Sequence, residues 1–203
     1  MILRAAIHIE VPDWLGPFVA DWPGNFPDET AAMGLAIALA RENVRRGTGG
    51  PFGALVIESA GGRLVAAGVN LVLARHCSLA HAELVAVGLA QQALGSPDLG
   101  EVLSGGCTLV SSAEPCAMCL GAIPWAWVGR LVCGARDADI RAAGFDEGDK
   151  PADWELAYAR RGIAVVRDCL RDQAVGVLAE YRRSGGVIYG PAQGLETGGP
   201  GVP

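Results

Sequence analysis

Five short aliphatic runs recur along the chain, and most of the segments between them carry helical periodicity. The runs are FGALVIES (52–59), RLVAAGVN (63–70), CTLVSS (107–112), RLVCGA (130–135) and IAVVRD (163–168). Each has the length and the β-branched content of a strand. The first two flank the turn AGG and read as a hairpin. Among the intervening pieces, TAAMGLAIALARENVRRG (30–47) reads as a helix with Thr30 as N-cap and Gly47 after a basic last turn. Residues 80–94, WELAYARRG (154–162) and LRDQAVGVLAEYRRSG (170–185) read as further helices. PCAMCLGAIPWA (115–126) reads as the start of another, with Pro115 at or near its first position, where the missing N–H costs nothing. Strands alternating with helices restrict the fold to an α/β layered arrangement around one mixed sheet.

The ends read differently. Residues 1–30 hold four prolines and little periodicity, so an irregular arm lying on the domain is expected there. Residues 31–189 form the single domain, and the Gly/Pro-rich stretch 190–203 reads as a disordered tail. Segment 137–154 reads as a loop with one short helical piece.

With 51% hydrophobic residues over 203 positions, the chain has enough apolar material for one core. The formal net charge is −6, which speaks against a surface built to grip a phosphate backbone. A small-molecule substrate is therefore favoured over nucleic acid. The N-terminus carries no long apolar segment of signal-peptide type, and no apolar run reaches the length of a membrane span. A cytoplasmic protein with no membrane association is expected. In such a protein, six cysteines are more often packed, metal-bound or catalytic than disulfide-bonded.

Chemistry concentrates in two segments, SLAHAELVAV (78–87) and EPCAMC (114–119). Cys116 and Cys119 stand three apart, which on a helix puts both sulfurs on one face, one turn apart. At a first helical turn, free N–H groups and the helix dipole favour thiolate over thiol. Such a pair is half of a tetrahedral zinc site, and His81 can supply a third ligand. Three protein ligands leave the fourth position to water or hydroxide, the catalytic pattern. Glu83 cannot share a helix face with His81, because positions i and i+2 point apart. Both reach one site only if the helix aims its N-terminal end at the metal. Glu83 then stands beside the metal as a non-ligand, placed to move a proton. The combination His-x-Glu, then Pro-Cys-x-x-Cys, is the signature of zinc deaminases of nucleobases. A purely structural zinc module is the alternative from another class. It needs a fourth ligand, which His76 or Cys77 could supply, and it leaves Glu83 without a role.

With these blocks in place, the chain resembles the cytidine deaminase superfamily, and within it the bacterial guanine deaminases. The resemblance runs from about Met33 to Tyr189 and rests on GGPFGALVIE, AAGVN, CSLAHAE, SSAEPCAMCLGAIPWA, AAGFDEG and GVIYG. It implies a three-layer α/β sandwich, a five-stranded mixed sheet flanked by helices. It also implies a homodimer whose C-terminal segment closes the partner's site, and one Zn2+ per subunit held by His81, Cys116 and Cys119. By the same resemblance, Glu83 is the proton shuttle, and Asn70 hydrogen-bonds the base. Phe52, Trp125 and Phe145 line the base pocket. Glu147 faces the guanine edge and takes part in catalysis, with Asp146 beside it as a candidate for the same role. An acceptor-only carboxylate suits the N1–H and 2-amino donors of guanine, and it opposes bases that lack that pair.

The implied reaction is guanine to xanthine and ammonia, with an aminotriazine such as ammeline as a related substrate. A cytidine or other nucleoside deaminase and a tRNA adenosine deaminase are the neighbouring readings. Trp14, Trp22, Trp127 and Trp154 read as packing residues, Cys107 and Cys133 as small buried hydrophobes, and His8 and His76 as non-ligands.

Overall fold

A computed structural model describes residues 6–190 and 194–196. In chain order it contains α1 (Leu15–Ala20), α2 (Glu29–Arg45), β1 (Gly53–Glu58), β2 (Leu64–Val69), α3 (Val72–Arg75), α4 (Ala82–Leu94) and α5 (Leu99–Val102). There follow β3 (Cys107–Ala113), α6 (Ala117–Ala122), a 3₁₀ turn (Ile123–Ala126), β4 (Val128–Ala135), α7 (Asp137–Ala142), α8 (Trp154–Ala159), β5 (Ala164–Val166), α9 (Arg171–Arg183), β6 (Ile188–Gly190) and β7 (Gly194–Glu196).

All five aliphatic runs become strands of one mixed sheet, in the order β2-β1-β3-β4-β5. β1 pairs antiparallel with β2 and β3, while β3–β4 and β4–β5 are parallel. The hairpin register sets Gly53 opposite Val69 and Ala54 opposite Gly68. β3 is buried along its whole length, because helices cover both faces. α2 and α9 pack on one face, and their core holds Met33, Leu35, Leu39, Val177 and Leu178. α4, α6 and α8 cover the other, around Ala86, Leu109, Leu120, Leu131 and Trp154.

Two glycines set how closely the layers approach. A Cβ on Gly53 would stand 2.9 Å from Ala40 N and nearer still to Ala36 O, in the backbone of α2. A Cβ on Gly68 would stand 2.6 Å from Ala86 N and nearer still to Ala82 O, in the backbone of α4. Each helix therefore lies directly on its strand.

The ends of several elements differ from expectation. The N-cap of α2 is Asp28, whose carboxylate accepts from Ala31 N at 2.8 Å, and Thr30 lies inside the helix. Asp28 adopts the extended backbone that a cap requires, and its carboxylate reaches N3. Pro115 precedes the cap of α6, which is Cys116. Within the stretch expected to be an irregular arm, Leu15–Ala20 forms α1; Leu15 is buried and Phe18 packs on the core. Trp127 does not pack inside: it is 62% exposed, in a left-handed backbone conformation that ends the 3₁₀ turn. Within the stretch expected to be a disordered tail, Gly194–Glu196 pairs antiparallel with Ile188–Gly190. Residues 191–193 and 197–203 of that stretch lie outside the described residues. No helix among the described residues is long and apolar enough to cross a membrane.

Candidate metal centre and its pocket

His81 is the N-cap of α4, and Cys116 is the N-cap of α6. Both have extended cap backbones, and neither side chain caps its own helix. A cap residue that leaves the capping bond unmade keeps its side chain free to reach outward. The two helices follow β2 and β3, which are separated in the sheet by β1. Their N-terminal ends meet over the edge of that strand trio, and their side chains converge. His81 Nδ1 lies 3.5 Å from Cys116 Sγ and 3.6 Å from Cys119 Sγ. The three donor atoms all lie within 4.8 Å of one another.

These distances test the donor set against zinc. A nitrogen at about 2.0–2.1 Å and a sulfur at about 2.3 Å from a tetrahedral ion stand about 3.6 Å apart. The observed separations match that edge, and one imidazole with two thiols is a zinc donor set. The thiols also share a proton unevenly. A hydrogen bond from Cys119 comes first in holding Cys116 down to about 4, followed by the bond to His81. Cys119 is pushed up by its bond to Cys116 and by burial. One thiolate therefore forms readily beside a neutral partner.

Glu83 sits in the first turn of α4, 6% exposed, and lines the same cavity. Burial, then the charge on Cys116, pushes its carboxyl above the usual range. A carboxylate with a raised affinity for protons suits repeated uptake and release. The sequence argument required the helix to point its N-terminus at the site, and α4 does so.

The cavity has a volume of about 500 Å3. His81, Glu83 and Cys116 form its floor. Phe52, Asn70, Phe145, Asp146 and Glu147 line it as well. The rings of Phe52 and Phe145 meet edge to face at 5.0 Å, and Phe145 stacks on Tyr181 at 5.9 Å. The Asn70 wall is fixed from behind: the buried Asn43 amide donates to Asn70 O at 2.8 Å and to Gly50 O at 2.9 Å.

The wall that carries Glu147 is a segment without regular structure, Phe145–Lys150, hung between α7 and α8. Ala117 N, a free donor at the start of α6, donates to Glu147 O at 2.9 Å. Asp146 Oδ1 accepts from Gly148 N at 2.8 Å, so that carboxylate is partly spent on its own loop. The Glu147 side chain is buried, and burial is the first cause that pushes its carboxyl up to about 8.

One expectation needs correction. Trp125 is 80% exposed and does not line the cavity. The 3₁₀ turn repeats every three residues, and its buried positions are Ile123 and Ala126. Trp125 falls between those two inward positions and is turned to the surface. Within the single chain, the segment after α9 lies over the chain's own cavity. Gly186 N donates to Tyr181 O and the Tyr181 hydroxyl to Val187 O, which turns the chain back after α9. Val187, Tyr189 and Gly190 then line the cavity of the same chain.

That turn delivers a residue that the sequence did not single out. The Tyr189 hydroxyl lies 3.1 Å from His81 Nε2. The GVIYG block marked the segment but not the contact, which depends on the turn after α9.

The fold and the donor set define a zinc-binding deaminase domain. The chain belongs to the cytidine and deoxycytidylate deaminase family, whose zinc-binding region matches residues 27–135. Its relatives include guanine deaminases. That of Bacillus subtilis (strain 168) is 40% identical over 124 residues, 58% of this chain and 75% of the relative. The solved guanine deaminase from Nitrosomonas europaea is 42% identical, with a TM-score of 0.84, over 90% of this chain and 100% of that one. The solved structure of NE0047 in complex with 2,6-diaminopurine is 44% identical, with a TM-score of 0.84, over 92% of this chain and 98% of that one.

Proposed function

We propose that this chain is a zinc-dependent hydrolytic deaminase of a free nucleobase, converting guanine and water to xanthine and ammonia. The observation that carries the reading is the convergence of His81, Cys116, Cys119 and Glu83 beneath a cavity walled by Phe52, Asn70, Phe145 and Glu147. His81, Cys116 and Cys119 would hold one zinc ion per chain. When bound, the ion supplies a Lewis acid that brings the pKa of a water to about 7.

The chain's own residues do the rest. Phe52 and Phe145 hold the flat base and keep bulk water from it. Asn70 hydrogen-bonds the purine. Glu147 accepts from N1–H and the 2-amino group, and Asp146, engaged with Gly148 N, is the weaker candidate for that edge. Glu83 takes a proton from the attacking water as its oxygen bonds to C2, and passes that proton to N3. The remaining hydroxyl proton moves to the 2-amino nitrogen, with Glu83 or Glu147 as carrier. The C2–N bond then breaks, C2=O forms and ammonia leaves. The buried Glu83 carboxylate beside the donor trio sets this reading apart from a structural zinc module, which has no use for it. Converting guanine to xanthine and ammonia would be a step of purine breakdown, and a cytoplasmic location belongs to the same reading. The exposed Trp125 fits a homodimer contact.

The test is ammonia release by the zinc-loaded protein over guanine, guanosine, ammeline, cytosine, cytidine and adenine. Guanine is expected to lead, with ammeline the next candidate. Activity confined to cytidine would overturn the reading. Glu83→Gln is expected to keep its zinc and lose ammonia release by about 10²–10⁴-fold. Retained activity would remove Glu83 from the reaction.

A further inference from the structure

Glu147 is carried by a segment without helix or strand, yet the proposed reading of the base edge demands a fixed carboxylate. Something must hold it. Next to Glu147, and outside the cavity lining, lies Lys150, whose side chain is only 7% exposed. Lysine is rarely buried without partners, and here its ammonium has three. Its Nζ forms an ion pair with Asp137 Oδ1 at 2.5 Å and donates to Pro115 O at 3.1 Å and to Glu147 Oε2 at 3.4 Å. An ammonium is a compact point charge with three donor protons, and oxygens from three separate segments surround this one. They are the start of α7, the residue before Cys116 and the wall loop itself. Arg141 strengthens the frame from the same helix, donating to Asp137 Oδ2 at 2.7 Å and to Gly148 O at 2.6 Å.

We infer that Lys150 is a positioning residue for base discrimination: it holds Oε2 of Glu147 and leaves Oε1 to face the base. The inference rests on the guanine reading given above. Lys150 itself does not line the cavity, so it touches no substrate. Its effect passes through Glu147. A glutamate tied at one oxygen loses its rotamer freedom before the substrate arrives, which removes that ordering cost from binding. The same ammonium links the loop to the backbone next to Cys116. The reading carboxylate is thereby held in fixed relation to the metal donors.

The experiment uses the full-length, zinc-loaded protein and the variant Lys150→Met. Guanine is compared with 2-aminopurine, which has the 2-amino group but no N1–H. Discrimination is read as the ratio of kcat/KM values. If 2-aminopurine is not turned over, the guanine KM is set against the 2-aminopurine inhibition constant. The variant is expected to keep wild-type zinc stoichiometry while discrimination falls about 10- to 100-fold, the scale of one lost oriented hydrogen bond. A merely structural role would weaken both bases by the same factor, and that result overturns the inference. In a Glu147→Gln background, Lys150→Met is expected to add less than about twofold. An undiminished effect there also overturns it. If Lys150→Met does not fold, Lys150→Arg keeps the charge but displaces the donor, because a planar guanidinium cannot reproduce the ammonium's two hydrogen bonds and ion pair at one point. Reduced discrimination in Lys150→Arg supports the inference, and unchanged discrimination overturns it. A wild-type protein without guanine turnover would overturn the substrate reading instead, a result distinct from an active wild type whose discrimination ignores Lys150.

Discussion

Replacing Gly68 by alanine tests how the sheet holds the metal centre in place. The new Cβ would stand 2.6 Å from Ala86 N and nearer still to Ala82 O. Ordinary carbon contacts lie at about 3.5–4.0 Å, so α4 must retreat by about 1 Å. Overpacking of this kind costs about 1–3 kcal/mol. For a chain of this size, each kcal/mol lowers Tm by about 2–4 °C, so a drop of about 2–12 °C is expected in a thermal melt. The more telling effect is on the metal. His81 caps the end of α4 that moves, so its Nδ1 leaves the present 3.5 and 3.6 Å from the two sulfurs. A displacement of about 1 Å far exceeds the roughly 0.2 Å tolerance of a metal–ligand distance. Zinc retention in chelator competition is expected to weaken at least about tenfold, and kcat to fall about 10²-fold. Gly53→Ala is the control: it presses on α2, which carries no donor, so it should cost similar stability with a smaller change in zinc retention. Equal zinc loss in both variants, or none in Gly68→Ala, would refute the coupling of sheet packing to the donor set.

Other outcomes follow from single contacts. Tyr189→Phe removes the hydroxyl beside His81 Nε2, and zinc affinity in chelator competition is expected to drop about 10- to 100-fold with the fold intact. Glu147→Ala is expected to raise the guanine KM while zinc content, measured by atomic absorption, stays at the wild-type level. Asp28→Ala deletes the α2 cap, which should cost about 1 kcal/mol in denaturant unfolding and leave ammonia release unchanged.

The metal centre was legible in the sequence because its chemistry is local. His-x-Glu and Cys-x-x-Cys are each confined to one helix start, and the helix end alone explains how His81 and Glu83 reach one point. The strands were legible for a similar reason, since each aliphatic run is a complete signal. Trp125 was misplaced because its direction depends on the phase of a 3₁₀ turn, which a helical reading of PCAMCLGAIPWA does not contain. Lys150 and Tyr189 gave no signal because their partners come from distant segments. Lys150 answers to Asp137 and Pro115, and Tyr189 to His81 across 108 positions. The helix α1 was hidden by Pro17 within it, although Leu15 and Phe18 supply its apolar face.

The walls of the cavity are built by different means. The floor consists of helix caps set by the sheet, and the Asn70 wall is pinned by a buried amide. The Phe145–Glu147 wall is a loop suspended between two helices, fastened by Lys150, Arg141 and a single backbone bond to α6. The metal donors and Glu83 thus sit on different pieces of chain from the carboxylate that reads the base edge. Exchanging residues 143–153 would alter which ring edge is read while His81, Glu83, Cys116 and Cys119 stay in the chain, provided that the new loop still anchors beside Cys116. The loop is where new amine substrates would be acquired.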